Sequence, residues 1–234
     1  LKYRRSYLGI LWTLLEPLLT MIVLSIVFGT LFGNDDPHFP VYILCGRLMY
    51  SFFSSGTNGA MKAIRTNAGM IKKVYVPKYI YPLSSVLFNY IIFLISLIVL
   101  VAVGIVLKVY PTIYMLQAVV PLILILFTAF GVGMILSTLA VFFRDLEYLW
   151  SVGLMIIMYA SAIFYYPERI LNSGFGWILK CNPLYLLIHN FRQAVFGRPM
   201  NMKFLAASIV FAIVSVIVGL YFFYKKQDEF ILHI

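Results

Sequence analysis

The side chains that could carry out chemistry are few in this sequence and stand apart from one another. Its 234 residues include eight acidic residues, three histidines and two cysteines. His38, His189 and His233 have no ligand partner at the spacing of a metal site. Cys45 and Cys181 lie far apart and favour isolated thiols over a disulfide. The sequence therefore predicts no metal and no cofactor bound by this chain.

The carboxylates do not form a pair suited to acid–base catalysis either. Asp145 and Glu147 flank Arg144 in a short turn, where pairing with that guanidinium accounts for them, and Glu168 has Arg169 beside it. No Gly-x4-Gly-Lys-Ser/Thr loop that could bind nucleotide phosphates occurs. Most of the other acidic residues stand in a turn or in the tail: Asp35, Asp36, Asp228 and Glu229. We therefore expect the chain not to be an enzyme.

Two charged residues fall inside apolar stretches. Glu16 lies about two turns into the first stretch, and Arg47 lies within the second. A charge at membrane depth is costly unless it faces water or a partner. We expect Glu16 near a cytoplasmic entrance. For Arg47 two interpretations stay open, an extension toward the outer surface and a contact with substrate.

The composition is that of a membrane protein. Hydrophobic residues make up 63% and charged residues 11% of the chain, whereas globular proteins have roughly 45–50% and 25%. The net charge of +10 would suggest a nucleic-acid partner in a soluble protein. Here the basic residues lie between apolar runs, so they indicate membrane topology and contact with anionic lipid. We expect no nucleic-acid partner.

The apolar runs predict an all-α polytopic membrane protein, with residues 1–234 forming a single transmembrane domain. About 20 apolar residues in a helix cross the hydrocarbon core. The six predicted spans are 8–32, 39–63, 81–107, 115–143, 148–164 and 204–224. Within 165–199 the apolar pieces are too short to cross, which predicts a re-entrant pair of helices before the last span.

The distribution of Lys and Arg predicts the orientation. With the N-terminus inside, most of the 18 basic residues lie in the cytoplasm, and the two short outer loops carry only Lys108. Both termini are therefore expected in the cytoplasm. Residues 1–9 place Arg4 and Arg5 among tyrosines, which is typical of an interfacial helix. The sequence begins at Leu1 without a signal peptide, and we expect residues to precede it.

The longest basic, amphipathic interruption covers residues 66–78. Thr66 or Asn67 could cap a short helix there, and Pro77 would end it. One helical face would carry Met70, Ile71, Val74 and Tyr75. A helix this short is not stable alone in water, so we expect it to dock. Periodicity leaves two partners open, an anionic lipid surface and a protein.

A series of motifs extends along nearly the whole chain. They are YRRSYLGILW at 3–12, EPL at 16–18, NAGMIKKVYVPK at 67–78, PLSS at 82–85, FFRDL at 142–146, NPLY at 182–185 and FR at 191–192. In this order the motifs resemble the permease subunit of bacterial type-2 ABC exporters for lipid-linked polysaccharides, O-antigen and teichoic acids.

The resemblance implies a homodimer with two copies of a separate cytoplasmic ATPase, which would bind ATP and Mg. It makes residues 66–78 the coupling helix, residues 1–9 the interface helix and residues 165–199 the outer gate region. The translocation path would run between the protomers, along the first and fifth spans. The resemblance assigns ATPase coupling to Asn67, Met70, Ile71, Lys72, Lys73, Val74, Tyr75, Arg144 and Asp145.

A sugar polymer needs a hydrated path with flat apolar faces, which aromatic side chains supply. The candidates for such stacking are Trp12, Phe52, Phe53, Tyr159, Phe164, Tyr165 and Tyr166. Arg4 and Arg5 could bind a diphosphate at the cytoplasmic entrance, near Glu16. Membrane anchoring explains the two arginines equally well, and interface belts or core packing could explain the aromatics.

These observations predict the transmembrane subunit of an ATP-driven exporter in the bacterial cytoplasmic membrane. Its substrate would be an undecaprenyl-diphosphate-linked polysaccharide or teichoic acid, moved from the cytoplasmic to the outer leaflet. One alternative is an exporter of a smaller lipid or drug with the same architecture. Another is a membrane-embedded enzyme acting on glycan lipids, and the absence of a carboxylate or histidine cluster argues against it.

Overall fold

A computed structural model describes residues 11–32, 36–74, 76–172 and 174–230. Every regular element in these ranges is helical. The α-helices are α1 (Trp12–Phe32), α2 (Phe39–Thr66), α3 (Ala68–Ile71), α4 (Ile80–Val106), α5 (Val119–Phe142), α6 (Leu146–Tyr159), α7 (Glu168–Leu171), α8 (Gly176–Cys181), α9 (Pro183–Val195) and α10 (Met202–Lys226). Short 3₁₀ helices precede α5 at Ile113–Ala118 and follow α10 at Gln227–Glu229. The predicted all-α polytopic fold is confirmed.

Four described segments are long and apolar enough to cross a membrane: Trp12–Thr30, Ile80–Val106, Ile113–Phe142 and Met202–Glu229. They match four of the predicted spans closely. The predicted interface helix at residues 1–9 lies outside the described residues. The predicted helix pair within 165–199 is present as α8 and α9, with the single turn α7 ahead of it.

Helix α2 is the centre of the bundle. Its 28 residues are long enough to cross, but its composition is less apolar than that of the four segments above. The reason is its position, since α1, α4, α5 and α9 pack around it and most of its side chains are buried. A helix enclosed by protein does not need a lipid-facing apolar surface on every side.

The predicted fifth span, 148–164, is shorter than expected. Helix α6 ends at Tyr159 after 14 residues, about 21 Å of helix. The backbone then leaves the helical path, and Ala162 adopts a left-handed φ of 48°. The sequence 160–165 is as apolar as the helix before it, so composition could not locate the end. Side chains of α2 and α9, described below, bind the carbonyls of the residues that follow Tyr159.

The predicted helix within 66–78 is also shorter. Helix α2 continues through Thr66, and only Ala68–Ile71 forms a further helical turn. Asn67 does not cap that turn with its side chain; its Nδ2 instead donates to the Ala63 carbonyl at 2.8 Å. The turn therefore continues the end of α2 at an angle, and it ends well before Pro77.

Helices α5 and α10 approach most closely where two glycines face each other. A Cβ built on Gly219 would lie 2.5 Å from the Gly131 carbonyl oxygen, and one built on Gly131 would collide with the backbone of Ser215. Small residues of this kind let two membrane helices pack backbone to backbone. The contact fixes α10 against the centre of the bundle.

We expect Gly131→Ala to lower the free energy of unfolding by about 1–3 kcal/mol, because an added methyl group must push two backbones apart. The thermal unfolding midpoint of the purified chain in detergent measures this. Gly153→Ala in α6 is the matched control, since its Cβ would meet only Trp150 at an ordinary 3.7 Å. Equal midpoints for the two variants would contradict the close packing.

Candidate functional site

The turn that follows α2 presents two apolar side chains and two lysines to its surroundings. Ile71 is buried against Ile64 and Phe230, whereas Met70 and Val74 are 56% and 55% exposed. Lys72 and Lys73 are exposed between them. The predicted apolar face is therefore divided, since Ile71 anchors the turn and its neighbours project away. We call Met70, Lys72, Lys73 and Val74 the α3 surface.

The α3 surface is held firmly to the bundle. The cluster that receives Ile71 includes Met134 of α5 and Phe223 of α10. Lys78, just beyond the turn, donates from Nζ to the Gln227 carbonyl at 2.6 Å. The turn is thus fixed to α2, α5 and the end of α10. An apolar pair flanked by ammonium groups suits a groove with an acidic rim or an anionic lipid surface.

The start of α6 lies at the same end of the molecule. Glu147 Oε1 accepts from Arg65 at 2.7 Å, and Glu147 Oε2 lies 3.2 Å from Lys62 Nζ, so one carboxylate ties α6 to α2. The expected pairing of Asp145 and Glu147 with Arg144 is wrong, because none of the ion pairs in the described ranges includes Arg144. Arg144 and Asp145 are exposed at this end.

A polar cleft of about 100 Å³ lies between α1, α2 and α4. Glu16 and Arg47 both line it, together with hydroxyl and amide side chains that include Ser51, Ser55 and Asn89. The ion pairs of the described residues do not join Glu16 to Arg47. The structure thus places Arg47 beside this cleft, half-buried, with its guanidinium carbon 5.9 Å from the Tyr50 ring centre. The arrangement can hold water or a polar ligand.

Three of the aromatic residues predicted to stack on substrate are core residues. Phe52, Phe53 and Phe164 are 3%, 5% and 6% exposed. Phe164 stacks on Phe28 with ring centres 5.0 Å apart, and Phe53 lies beside Trp150. In this conformation the subunit's own side chains cover these rings, although Phe52 also borders the polar cleft.

The other predicted path residues lie nearer the surface or beyond the described ranges. Trp12 and Tyr159 are 38% and 56% exposed, and Tyr165 donates to the Tyr159 carbonyl at 2.6 Å. Tyr166 is half-buried and donates to Asp36. The predicted entrance residues Arg4 and Arg5 lie outside the described residues, as does Tyr75, which was predicted for ATPase coupling. Of the predicted path residues that the structure describes, Glu16 and Phe52 border the polar cleft, and the others do not line it.

Sequence reasoning missed the role of Arg192, which is only 5% exposed. Its guanidinium donates to three carbonyls, those of Tyr42, Ala162 and Ile163, at 3.1, 2.9 and 3.2 Å. It also stacks on the Tyr42 ring, with its central carbon 3.4 Å from the ring centre. Gly46 leaves the space, because a Cβ there would lie 2.6 Å from Nη2. The sequence does contain a signal for this role, because Arg192 stands within a short and otherwise apolar helix.

Two further side chains bind the same irregular segment, 160–165. Asn182 caps α9 through Oδ1 and donates from Nδ2 to the Ala160 carbonyl at 3.0 Å. Tyr42 donates from its hydroxyl to the Tyr165 carbonyl at 3.0 Å. These bonds replace the helical partners that the segment lacks, so α6 ends where α2 and α9 supply donors.

No group of three His, Cys, Asp or Glu side chains in the described ranges is placed to hold a metal ion. The features with functional potential are therefore surfaces and clefts. They are the α3 surface at one end of α2, the polar cleft beside its middle, and the Arg192 region at its other end.

Comparison with known proteins gives a consistent result. A family model described as ABC-2 type transporter matches residues 1–196. The chain is 32% identical over 232 residues to an O-antigen export system permease protein RfbA of Klebsiella pneumoniae, covering 98% of this chain and 88% of the relative. An RfbA of Myxococcus xanthus is 30% identical over 233 residues, covering 98% and 89%. The polysialic acid transport protein KpsM of Escherichia coli is 25% identical over 242 residues, covering 97% and 89%.

Replacing Arg192 tests whether it holds segment 160–165. Arg192→Met removes a donor from the Ala162 and Ile163 carbonyls of that segment, and each unsatisfied buried group costs about 1–3 kcal/mol. We expect a large fall in the unfolding midpoint in detergent. Arg192→Lys should restore little of it, because a compact ammonium cannot bond three separated carbonyls while stacking on a ring.

The matched control is Arg198→Met, which removes an exposed guanidinium nearby and should leave the midpoint nearly unchanged. If Arg192→Lys were as stable as the original chain, a positive charge alone would stabilise the segment. The bonds of the guanidinium to several carbonyls would then contribute nothing to stability.

Proposed function

Since the chain belongs to the ABC-2 type transporter family, we propose that it is the transmembrane subunit of an ATP-driven exporter that moves a lipid-linked polysaccharide from the cytoplasmic to the outer leaflet. The observation that carries this proposal is the similarity over 97–98% of the chain to permeases named for O-antigen export and polysialic acid transport. Those relatives span two kinds of polysaccharide, so the similarity supports the substrate class rather than one polymer.

The energy for transport is assigned to a separate ATPase. The sequence has no phosphate-binding loop, and family membership implies a nucleotide-hydrolysing partner. We assign the α3 surface to that partner, with Arg144 and Asp145 beside it. The support is physical, since Met70 and Val74 are exposed apolar side chains on a turn that Ile71 anchors. Exposed apolar side chains on a fixed turn are typical of a docking surface.

The proposed orientation places the α3 surface in the cytoplasm. Lys78 contacts the Gln227 carbonyl, so the end of α10 lies beside α3. This end also carries four basic residues, Lys62, Arg65, Lys225 and Lys226. An excess of Lys and Arg is typical of the cytoplasmic side of a membrane protein. The chain then crosses the membrane six times, through α1, α2, α4, α5, α6 with segment 160–165, and α10. An even number of crossings leaves both termini in the cytoplasm.

In the proposed cycle two copies of this subunit form the path and each binds one ATPase. A displacement of the α3 surface would move α2 and α10 with it, because the buried cluster around Ile71 includes residues of both helices. Such rigid-body motion is a common way for nucleotide binding to open a distant path. Glu16 and the polar cleft lie along that route and would provide a hydrated surface near the entrance.

We expect Met70→Asp and Val74→Asp to abolish co-purification of the partner ATPase and to reduce glycan export at least tenfold. Each change buries a carboxylate in the proposed apolar contact. Membrane insertion should be unaffected because both side chains are exposed. Affinity purification of the tagged chain and detection of glycan at the cell surface measure the two effects.

The control is Tyr110→Asp, which places the same charge on an exposed aromatic residue in the connection after α4, at the opposite end of that helix. It should leave ATPase co-purification intact. Normal export by the Met70 and Val74 variants would remove the α3 surface from the coupling role.

A further inference from the structure

A pocket of about 220 Å³ opens at the end of α2 opposite the α3 surface. Its lining comes from residues just before α2 and in its first turns, from residues 166–168 and from one side of α9. It is smaller than the pockets of about 300–1,000 Å³ that hold drug-sized ligands, and it has the scale of a single ring. We call it the α2–α9 pocket.

Polar groups on one side of the pocket are held in defined positions. Asp36 accepts a hydrogen bond from the Tyr166 hydroxyl at 2.6 Å and lies 3.3 Å from His38 Nδ1. Burial acts to raise the pKa of Asp36, but the bonds from Tyr166 and His38 outweigh it, so the pKa is lower than usual. The carboxylate therefore stays ionised as an acceptor. Glu168 adds a second, exposed carboxylate.

Aromatic rings line the same pocket. The Tyr42 and Tyr166 rings lie 4.7 Å apart at an angle of 52°, and Phe196 adds a third ring. Arg192 borders the pocket, but three of its five N–H donors are bonded to backbone carbonyls and its face lies on the Tyr42 ring. Its contribution is to fix the ring, while Gln193 contributes an amide to the lining.

The Tyr185 hydroxyl is the observation that points to a ligand. Tyr185 is 1% exposed and lines this pocket, yet its oxygen is buried without a hydrogen-bond partner. An unsatisfied buried polar group costs about 1–3 kcal/mol, so proteins rarely retain one without a use. A tyrosine hydroxyl is protonated at neutral pH and can donate to a ligand oxygen.

We propose that the α2–α9 pocket binds one neutral sugar unit of the exported glycan as it leaves the membrane. The assignment rests on the proposed export function for the origin of the sugar. Ring hydroxyls would donate to Asp36 and Glu168, the Tyr185 hydroxyl would donate to a ring oxygen, and an aromatic ring would cover the apolar C–H face. Arg192 and Arg198 also line the pocket and balance the two carboxylates, so the lining has no net charge that would attract an acidic sugar.

The test measures sugar binding to the purified full-length chain in detergent by saturation-transfer NMR. The probes are the neutral sugars glucose, galactose, mannose and rhamnose, with glucuronate and sialic acid as acidic sugars. We expect at least one neutral sugar to bind and both acidic sugars to fail. Tyr185→Phe should weaken that binding at least fivefold while the unfolding midpoint stays equal or rises, because only an unsatisfied oxygen is removed.

Tyr110→Phe is the matched control, since it removes the hydroxyl of an exposed tyrosine that does not line the pocket. Glu168→Gln gives a second, independent variant and should also weaken binding. Absence of binding by every neutral sugar, binding of acidic sugars only, or unchanged binding in Tyr185→Phe would each overturn the assignment.

Export and ATPase co-purification are measured in parallel, so that the two proposals fail separately. A chain that exports glycan with its ATPase but binds no neutral sugar refutes the pocket assignment alone. A chain that binds the sugar through Tyr185 yet recruits no ATPase and exports nothing refutes the export function and supports the pocket assignment.

Discussion

The structure depends on one requirement, that backbone carbonyls buried away from water must find donors. Segment 160–165 leaves the helical path after α6, and within a membrane that would expose several carbonyls to an apolar medium. Arg192 donates to the Ala162 and Ile163 carbonyls, and Asn182 and Tyr42 donate to the Ala160 and Tyr165 carbonyls. An unpaired buried guanidinium would itself be costly, but carbonyl dipoles and the Tyr42 ring stabilise its charge. The irregular segment and the buried cation thus satisfy each other, and together they join α2, α6 and α9.

Hydrogen bonds from α2 also hold the chain around α6. The first turns of α2 carry Tyr42, its middle carries Arg47 and Tyr50, and its last turns carry Arg65. Both ends of α2 are bonded to the chain around α6. Tyr42 donates to the Tyr165 carbonyl, and Arg65 donates to Glu147. Between these two contacts, Tyr50 donates to the Leu154 carbonyl. Trp150 Nε1 also donates to Thr57 at 3.2 Å, so polar contacts along the length of α2 help to hold α6 beside it.

The sequence was informative where long apolar runs determine the outcome and uninformative where distant partners do. The runs located α1, α4, α5 and α10 because lipid-facing helices need about 20 apolar residues. They could not show that α6 stops at Tyr159, since the next residues are equally apolar and donors to the Ala160 and Tyr165 carbonyls come from 22 and 123 positions away. The partner of Glu147 was missed for the same reason, because Arg65 lies 82 positions away rather than in the adjacent turn. The α2–α9 pocket also combines distant segments, which composition cannot bring together.

A continuous α2 has a mechanical consequence for the proposed cycle. Its 28 residues extend about 42 Å, with the α3 surface at one end and the α2–α9 pocket at the other. Its one proline, Pro40, stands in the first turn, so the hydrogen-bond ladder is unbroken between the two sites. A helix packed on most sides transmits a displacement as a rigid body rather than absorbing it. Force from an ATPase at the α3 surface would therefore act directly on the geometry around Tyr42 and Arg192, which is where the pocket is built.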